Sequence, residues 1–119
     1  MKYRVAIGTS DKINITEHFG QCRRFVILDI DQENDEETFV EDRDTSFSEQ
    51  CGEHQNDKIK EKIEALWDCQ IVLVKQIGGQ SEKLLNHNGI IPLQYQSSIV
   101  EALDKIKKYY KKQIFTRRE

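Results

Sequence analysis

Arg24-Phe25-Val26-Ile27-Leu28-Asp29-Ile30 decides the fold. At the two-residue period of a strand it places Phe25 and Ile27 on one face and Val26, Leu28 and Ile30 on the other. A strand apolar on both faces lies inside a sheet covered on both sides, which is the α/β arrangement. Upstream, Tyr3 to Thr9 reads as a first strand. Downstream, an acidic turn leads to Thr38-Phe39-Val40-Glu41, short and one-sided, as expected of an edge strand folding back in a hairpin.

Beyond residues 44 to 53, which have no periodicity, helix and strand alternate. Asp57 to Trp67 places Ile59, Ile63, Leu66 and Trp67 on one helical face. Cys69-Gln70-Ile71-Val72-Leu73-Val74 follows as a β-branched strand too short for a helix. Gly78-Gly79 turns the chain into a helix from Ser81 to His87, and Asn88-Gly89 supplies the left-handed stop. Ile90-Ile91-Pro92-Leu93 is the next strand, at an edge because proline lacks the ladder N–H. Ser98-Ile99-Val100-Glu101 has the form of a capping box, and Ile99, Leu103, Ile106 and Tyr110 continue one apolar stripe. The order β-β-β-α-β-α-β-α, closed by right-handed crossovers, predicts a mixed five-stranded sheet of order 3-2-1-4-5 with helices on both faces, the ribonuclease-H-like arrangement.

With 119 residues, 37% of them hydrophobic, the chain supports one core and one domain. Residues 1–112 are expected to form that domain, with 113–119 a basic tail. No apolar run approaches the roughly 20 residues that cross a bilayer, and Met1-Lys2-Tyr3-Arg4-Val5 enters a strand pattern at once, so a cytoplasmic location is expected. Three cysteines in a reducing compartment read as free thiols or ligands. Acidic residues crowd positions 29 to 42 and basic ones the end of the chain, a pattern of solvated faces. The net charge of -3 and a pI of about 5.7 speak against a nucleic-acid partner. A two-metal nuclease on this sheet needs a carboxylate in the first strand, and Arg4-Val5-Ala6-Ile7-Gly8 has none; Asp29 and Asp31 lack a matching acid.

Imidazole and thiolate side chains in connecting loops point instead to a metal or cluster site. His18-Phe19-Gly20 offers a projecting ring, an apolar anchor and a backbone free to turn tightly. Cys22 lies four residues on; it reads equally as a ligand or as a small buried apolar residue. Cys51, between Gln50 and Gly52 in the aperiodic segment, reads as a ligand or reactive thiol, and His54 completes a Cys-x2-His spacing. Cys69 is expected in the core and His87 at the negative end of its helix. Lead ligands are thus His18 and Cys51, with Cys22 and His54 as further members.

The segments Val5-Ala6-Ile7-Gly8-Thr9-Ser10-Asp11, Ile15-Thr16-Glu17-His18-Phe19-Gly20 and Phe25-Val26-Ile27-Leu28 resemble the dinitrogenase iron–molybdenum cofactor biosynthesis family, whose members include NifX, the carboxy-terminal domain of NifB and the core of NafY. Cys51-Gly52-Glu53, Cys69 to Val74, Ile77-Gly78 and Asn88-Gly89-Ile90 extend the likeness along nearly the whole chain. The resemblance implies a ribonuclease-H-like fold and a non-catalytic carrier of an iron–sulfur or iron–molybdenum type cluster, or its precursor, between donor and recipient assembly proteins. The Cys-x3-Cys-x2-Cys site of radical S-adenosylmethionine chemistry is absent from this sequence. Where many members have glycine after the first loop aspartate, Lys12 follows Asp11. Three alternatives stay open. His18, Cys22, Cys51 and His54 could close around zinc, the Gly78-Gly79 amides could receive an anion, or the domain could be a protein-interaction module.

Overall fold

A computed structural model describes residues 1–45 and 55–111. Its elements run β1 (Lys2–Gly8), β2 (Arg24–Asp31), β3 (Glu37–Asp44), α1 (Gln55–Ala65), β4 (Ile71–Val74), α2 (Gly79–His87), β5 (Ile91–Gln94) and α3 (Ile99–Tyr110). The sheet order is β3-β2-β1-β4-β5, as the alternation predicts. β2 pairs antiparallel with both β1 and β3, whereas β4 pairs parallel with β1 and with β5. Consequently β1, β3, β4 and β5 all end at one edge of the sheet, at Gly8, Asp44, Val74 and Gln94. β3 is an edge strand and so is β5, where Pro92 lies opposite Val72.

Both sheet faces are covered. Phe25, Ile27, Ala6, Val72 and Val74 pack with Ile63 of α1, Leu66 just beyond it and Leu85 of α2. Tyr3, Val5, Ile7, Ile30, Ile71 and Leu73 pack on the other side with Ala102, Leu103, Ile106 and Tyr110 of α3. The two-faced character of β2 therefore reflects two separate cores. α3 starts where Ser98 Oγ accepts the Glu101 N–H at 3.2 Å, satisfying one of the helix's orphan donors. Beyond α2, Gly89 takes φ 76°, the left-handed geometry that glycine supplies without steric cost.

Three local expectations shift. β3 runs from Glu37 to Asp44, longer than the apolar pattern, because it copies the length of its partner; a register shift opposite Ile27/Leu28 accommodates the extra residue. Trp67 does not join the apolar face of α1: the helix ends at Ala65 and Trp67 is 46% exposed. β4 starts at Ile71 rather than Cys69, since Gln70 is occupied with Arg4, donating its N–H to the Arg4 carbonyl and accepting the Arg4 N–H on Oε1 at 2.6 Å.

Asp29, without a matching acid in the sequence, has a basic partner. Arg4 forks onto both Asp29 oxygens at 2.8 and 3.0 Å and reaches Asp68 at 2.6 Å, while Arg43 binds both oxygens of Asp68. Burial raises the pKa of Asp68, but the hydrogen bonds from Arg43 and Arg4 prevail and hold it at about 2. This network ties β1, β2 and β3 to the turn after α1. Among the described residues no helix is long and apolar enough to cross a membrane.

Candidate functional site

The end of the sheet at which four strands stop is spanned by the β1–β2 connection. It departs at Gly8, whose carbonyl accepts the N–H groups of Thr16 and Glu17. Gly8 is closely packed: a Cβ there would lie 3.1 Å from Val74 Cγ1 and 3.2 Å from Glu17 Cβ, so these neighbours would have to shift. Asp11 holds the loop's first bend, accepting the N–H groups of Ile13 and Asn14 at 2.8 Å each, bonds that lower its pKa. Lys12 sits at φ 63°. A β-carbon in that conformation crowds the following carbonyl, so the position favours glycine over lysine.

From Ile13 onward the connection is stitched across the sheet end. Ile99 donates to the Ile13 carbonyl at 2.8 Å and Ile15 to the Ser97 carbonyl at 3.1 Å, fixing it to the start of α3. Lys75 donates to Glu17 at 2.9 Å and Phe19 to Gln76 at 2.8 Å, fixing it to the end of β4, and His18 forms a bridge with Gln76. Ile15 enters the α3-side core and Phe19 the α1/α2-side core, both buried. One loop is thus nailed into both layers four residues apart. Between the nails and the following strand the chain turns: Gln21 and Cys22 both donate to the His18 carbonyl, at 3.1 and 3.0 Å.

His18 is exposed on this pinned turn. The anchor role expected of Phe19 is realised: it has 0% exposure and its ring lies 6.0 Å from that of Phe25. Cys22 departs from the ligand reading. It is fully buried, donates its thiol to the Arg24 carbonyl at 3.1 Å, and burial pushes its pKa up to about 12. Metal ligation requires an accessible thiolate, and burial here disfavours the thiolate. In this conformation Cys22 serves packing. Cys69 is likewise buried, with its thiol pushed up to about 12, as its core assignment expects.

Cys51 and His54 lie outside the described residues, as do the basic residues 113–119. The chain toward Cys51 leaves from Thr45, whose N–H and hydroxyl both donate to the Arg23 carbonyl, at 2.8 and 3.0 Å. It re-enters at Gln55 in α1, and α1 itself touches the His18 turn. Lys62 makes that contact, donating from Nζ to the carbonyls of Phe19 at 2.7 Å and Gly20 at 3.1 Å. No reading of motifs singles out Lys62, yet one signal was present: it falls three residues after Ile59 and four before Leu66, a cation on the apolar face of the helix. Among the described residues no group of three or more His, Cys, Asp or Glu side chains could hold a metal ion.

The Gly78-Gly79 turn caps α2 without a side-chain hydrogen bond. Both glycines are open to solvent, with nothing within 4 Å of where a Cβ would sit. Chemically, the sheet end offers an exposed imidazole on a turn held by main-chain hydrogen bonds and by Lys62 of α1.

Residues 1–109 match the protein family described as "Dinitrogenase iron-molybdenum cofactor". Protein NifX of Rhodobacter capsulatus is 32% identical over 94 residues, a match that covers 76% of this chain and 58% of that NifX. FeMo cofactor biosynthesis protein NifB of Herbaspirillum seropedicae is 32% identical over 98 residues, covering 82% of this chain and 18% of that NifB. The chain therefore spans a little over half of the first relative and less than a fifth of the second. Among solved structures, the crystal structure of PH0822 is similar with a TM-score of 0.67 at 26% identity, covering 89% of this chain and 91% of that one.

Proposed function

The chain belongs to the dinitrogenase iron–molybdenum cofactor family, and from that premise we propose that it binds and carries an iron–sulfur or iron–molybdenum type cluster, or its precursor, during cofactor assembly. Its role is that of a non-catalytic cytoplasmic carrier between donor and recipient assembly proteins, on a sheet we read as ribonuclease-H-like. The cargo sits over the carboxyl ends of the strands, with His18 and Cys51 as lead ligands and His54 beside them. The relative named for FeMo cofactor biosynthesis supports this reading.

The observation that carries it is the state of His18. A side chain meant only to cap its loop would spend its nitrogens on neighbouring backbone, yet the bonds that hold this turn are made by the main chain and by Lys62. The ring is left exposed for a guest. A carrier needs few and exchangeable ligands so that its cargo can leave. The burial of Cys22 fits that requirement and counts against a closed four-ligand zinc site, which would need it as a member.

The test is anaerobic incubation of the protein with a [4Fe–4S] cluster assembled from ferrous iron and sulfide, followed by gel filtration. Visible absorption should comigrate with the native chain and be lost from His18→Ala and Cys51→Ala. Colour retained by both variants would remove the site assignment. No colour with any form, alongside stoichiometric zinc by elemental analysis, would overturn the carrier reading in favour of a structural metal.

A further inference from the structure

Lys62 is half-buried on the apolar side of α1, between the partly buried Ile59 and the buried Leu66 just past the helix, where a leucine or methionine would pack without any cost of desolvating a charge. Burial indeed lowers its pKa. Among the described residues its ammonium has no carboxylate partner. It is held instead by two consecutive main-chain carbonyls, Phe19 at 2.7 Å and Gly20 at 3.1 Å, and lies 5.3 Å from the centroid of the Phe19 ring. The two carbonyls immediately follow His18, and the carbonyl of His18 itself takes the N–H groups of Gln21 and Cys22. Every turn oxygen from His18 to Gly20 is therefore engaged, two of them by one cation on a different element.

We infer that Lys62 is the positioning residue for the site, clamping the His18 turn to α1 so that the imidazole keeps a fixed place relative to the helix that follows the Cys51 segment. This rests on the reading of His18 as a ligand. A hydrogen bond from a charged donor to a carbonyl contributes more than a neutral one, and two of them converge here. Residues 46–54 leave from Thr45 beside Arg23 and return at Gln55, so the clamp acts on the helix that begins as soon as that segment ends. The side chain's work is done at a distance from the guest; it sets where the ligands stand.

The experiment compares Lys62→Met, which keeps the aliphatic stem, with Lys62→Arg, which keeps the donors. Amide hydrogen exchange is measured at Gln21 and Cys22, together with the Kd for the same [4Fe–4S] probe. Loss of two charge-assisted bonds should raise exchange at these amides and weaken the probe's Kd by about tenfold or more in Lys62→Met. Lys62→Arg should stay within about threefold of the native chain in both, since its donors can reach the same oxygens. A merely structural role would lower the melting temperature in Lys62→Met and leave local exchange and Kd, measured well below that temperature, unchanged; that result overturns the proposal. If Lys62→Met does not fold, Lys62→Ala with native exchange at Gln21 and Cys22 overturns it equally. Should exchange rise in Lys62→Met while His18→Ala still retains the probe, the clamp stands and the ligand assignment of His18 falls.

Discussion

Replacing Phe19 by alanine separates the anchor of the His18 turn from the turn itself. The ring is fully buried among Cys22, Phe25, Leu66 and Val74 of one core, so its removal forfeits the burial of a large apolar side chain, about 1.5–3 kcal/mol. The tilted pair with Phe25, 6.0 Å between centroids, adds about 0.5–1.5 kcal/mol. The Lys62 ammonium at 5.3 Å adds about 0.5–1 kcal/mol more. Together these give about 2.5–5.5 kcal/mol, which brackets the roughly 3–5 kcal/mol expected of a buried phenylalanine truncated to alanine. A domain of this size is stable by only about 5–15 kcal/mol, so the loss is a large fraction of its stability. Urea unfolding of Phe19→Ala should show a lower midpoint at unchanged slope. Phe39→Ala is the control, since that ring is 56% exposed on the edge strand and its loss should stay within about 0.5 kcal/mol. A loss below about 1 kcal/mol for Phe19→Ala would show that the turn is not anchored in the core, and the fixed position of His18 would have no physical basis.

Asp68→Asn leaves Arg4 and Arg43 without their shared counter-charge in a poorly solvated place, and should cost about 3–5 kcal/mol in equilibrium unfolding; a loss under 1 kcal/mol would contradict the network. Because the pKa of Asp68 is depressed from 3.8 to about 2, its stabilisation is complete above pH 3.8 and disappears as pH falls through about 2. That is about 1–2 kcal/mol after solvent screening, visible as a smaller loss of stability over this pH window in Asp68→Asn than in the native chain. Lys12→Gly should raise stability by up to about 1 kcal/mol, relief of the left-handed conformation outweighing the exposed Lys12–Asp42 pair, and a lower melting temperature would count against the strain. Cys22 and Cys69, both buried with thiols near pKa 12, should react with a thiol reagent only as fast as the fold opens, so mapped labelling of Cys22 at the rate of a free thiol would contradict its packing role.

Much of the architecture could be read from local pattern because it is local in cause. The double-faced β2, the switch to helical period from Asp57, and the Asn88-Gly89 and Ser98 signals each act within a few residues, and the strand order follows from their sequence. Trp67 misled because amphipathic period does not say where a helix stops, and Asp29 could not be paired because Arg4 is brought to it only by the sheet register. At the site, the His18-Phe19-Gly20 motif revealed the projecting ring and its anchor. The even choice at Cys22 turned on burial, which depends on Gly8, Phe25 and α1 meeting around it. For Lys62 the sequence carried only its place on an apolar helical face; its partners lie more than forty residues away along the chain.

Pulsed electron paramagnetic resonance of the cluster-loaded chain, reduced by dithionite to the paramagnetic [4Fe–4S]+ state and carrying nitrogen-15 in its histidine rings, tests ligation by His18 most directly. A hyperfine coupling from a directly bound imidazole nitrogen, present in the native chain and absent in His18→Ala, is the predicted result. A loaded cluster with no nitrogen coupling, or with one that survives His18→Ala, would contradict it.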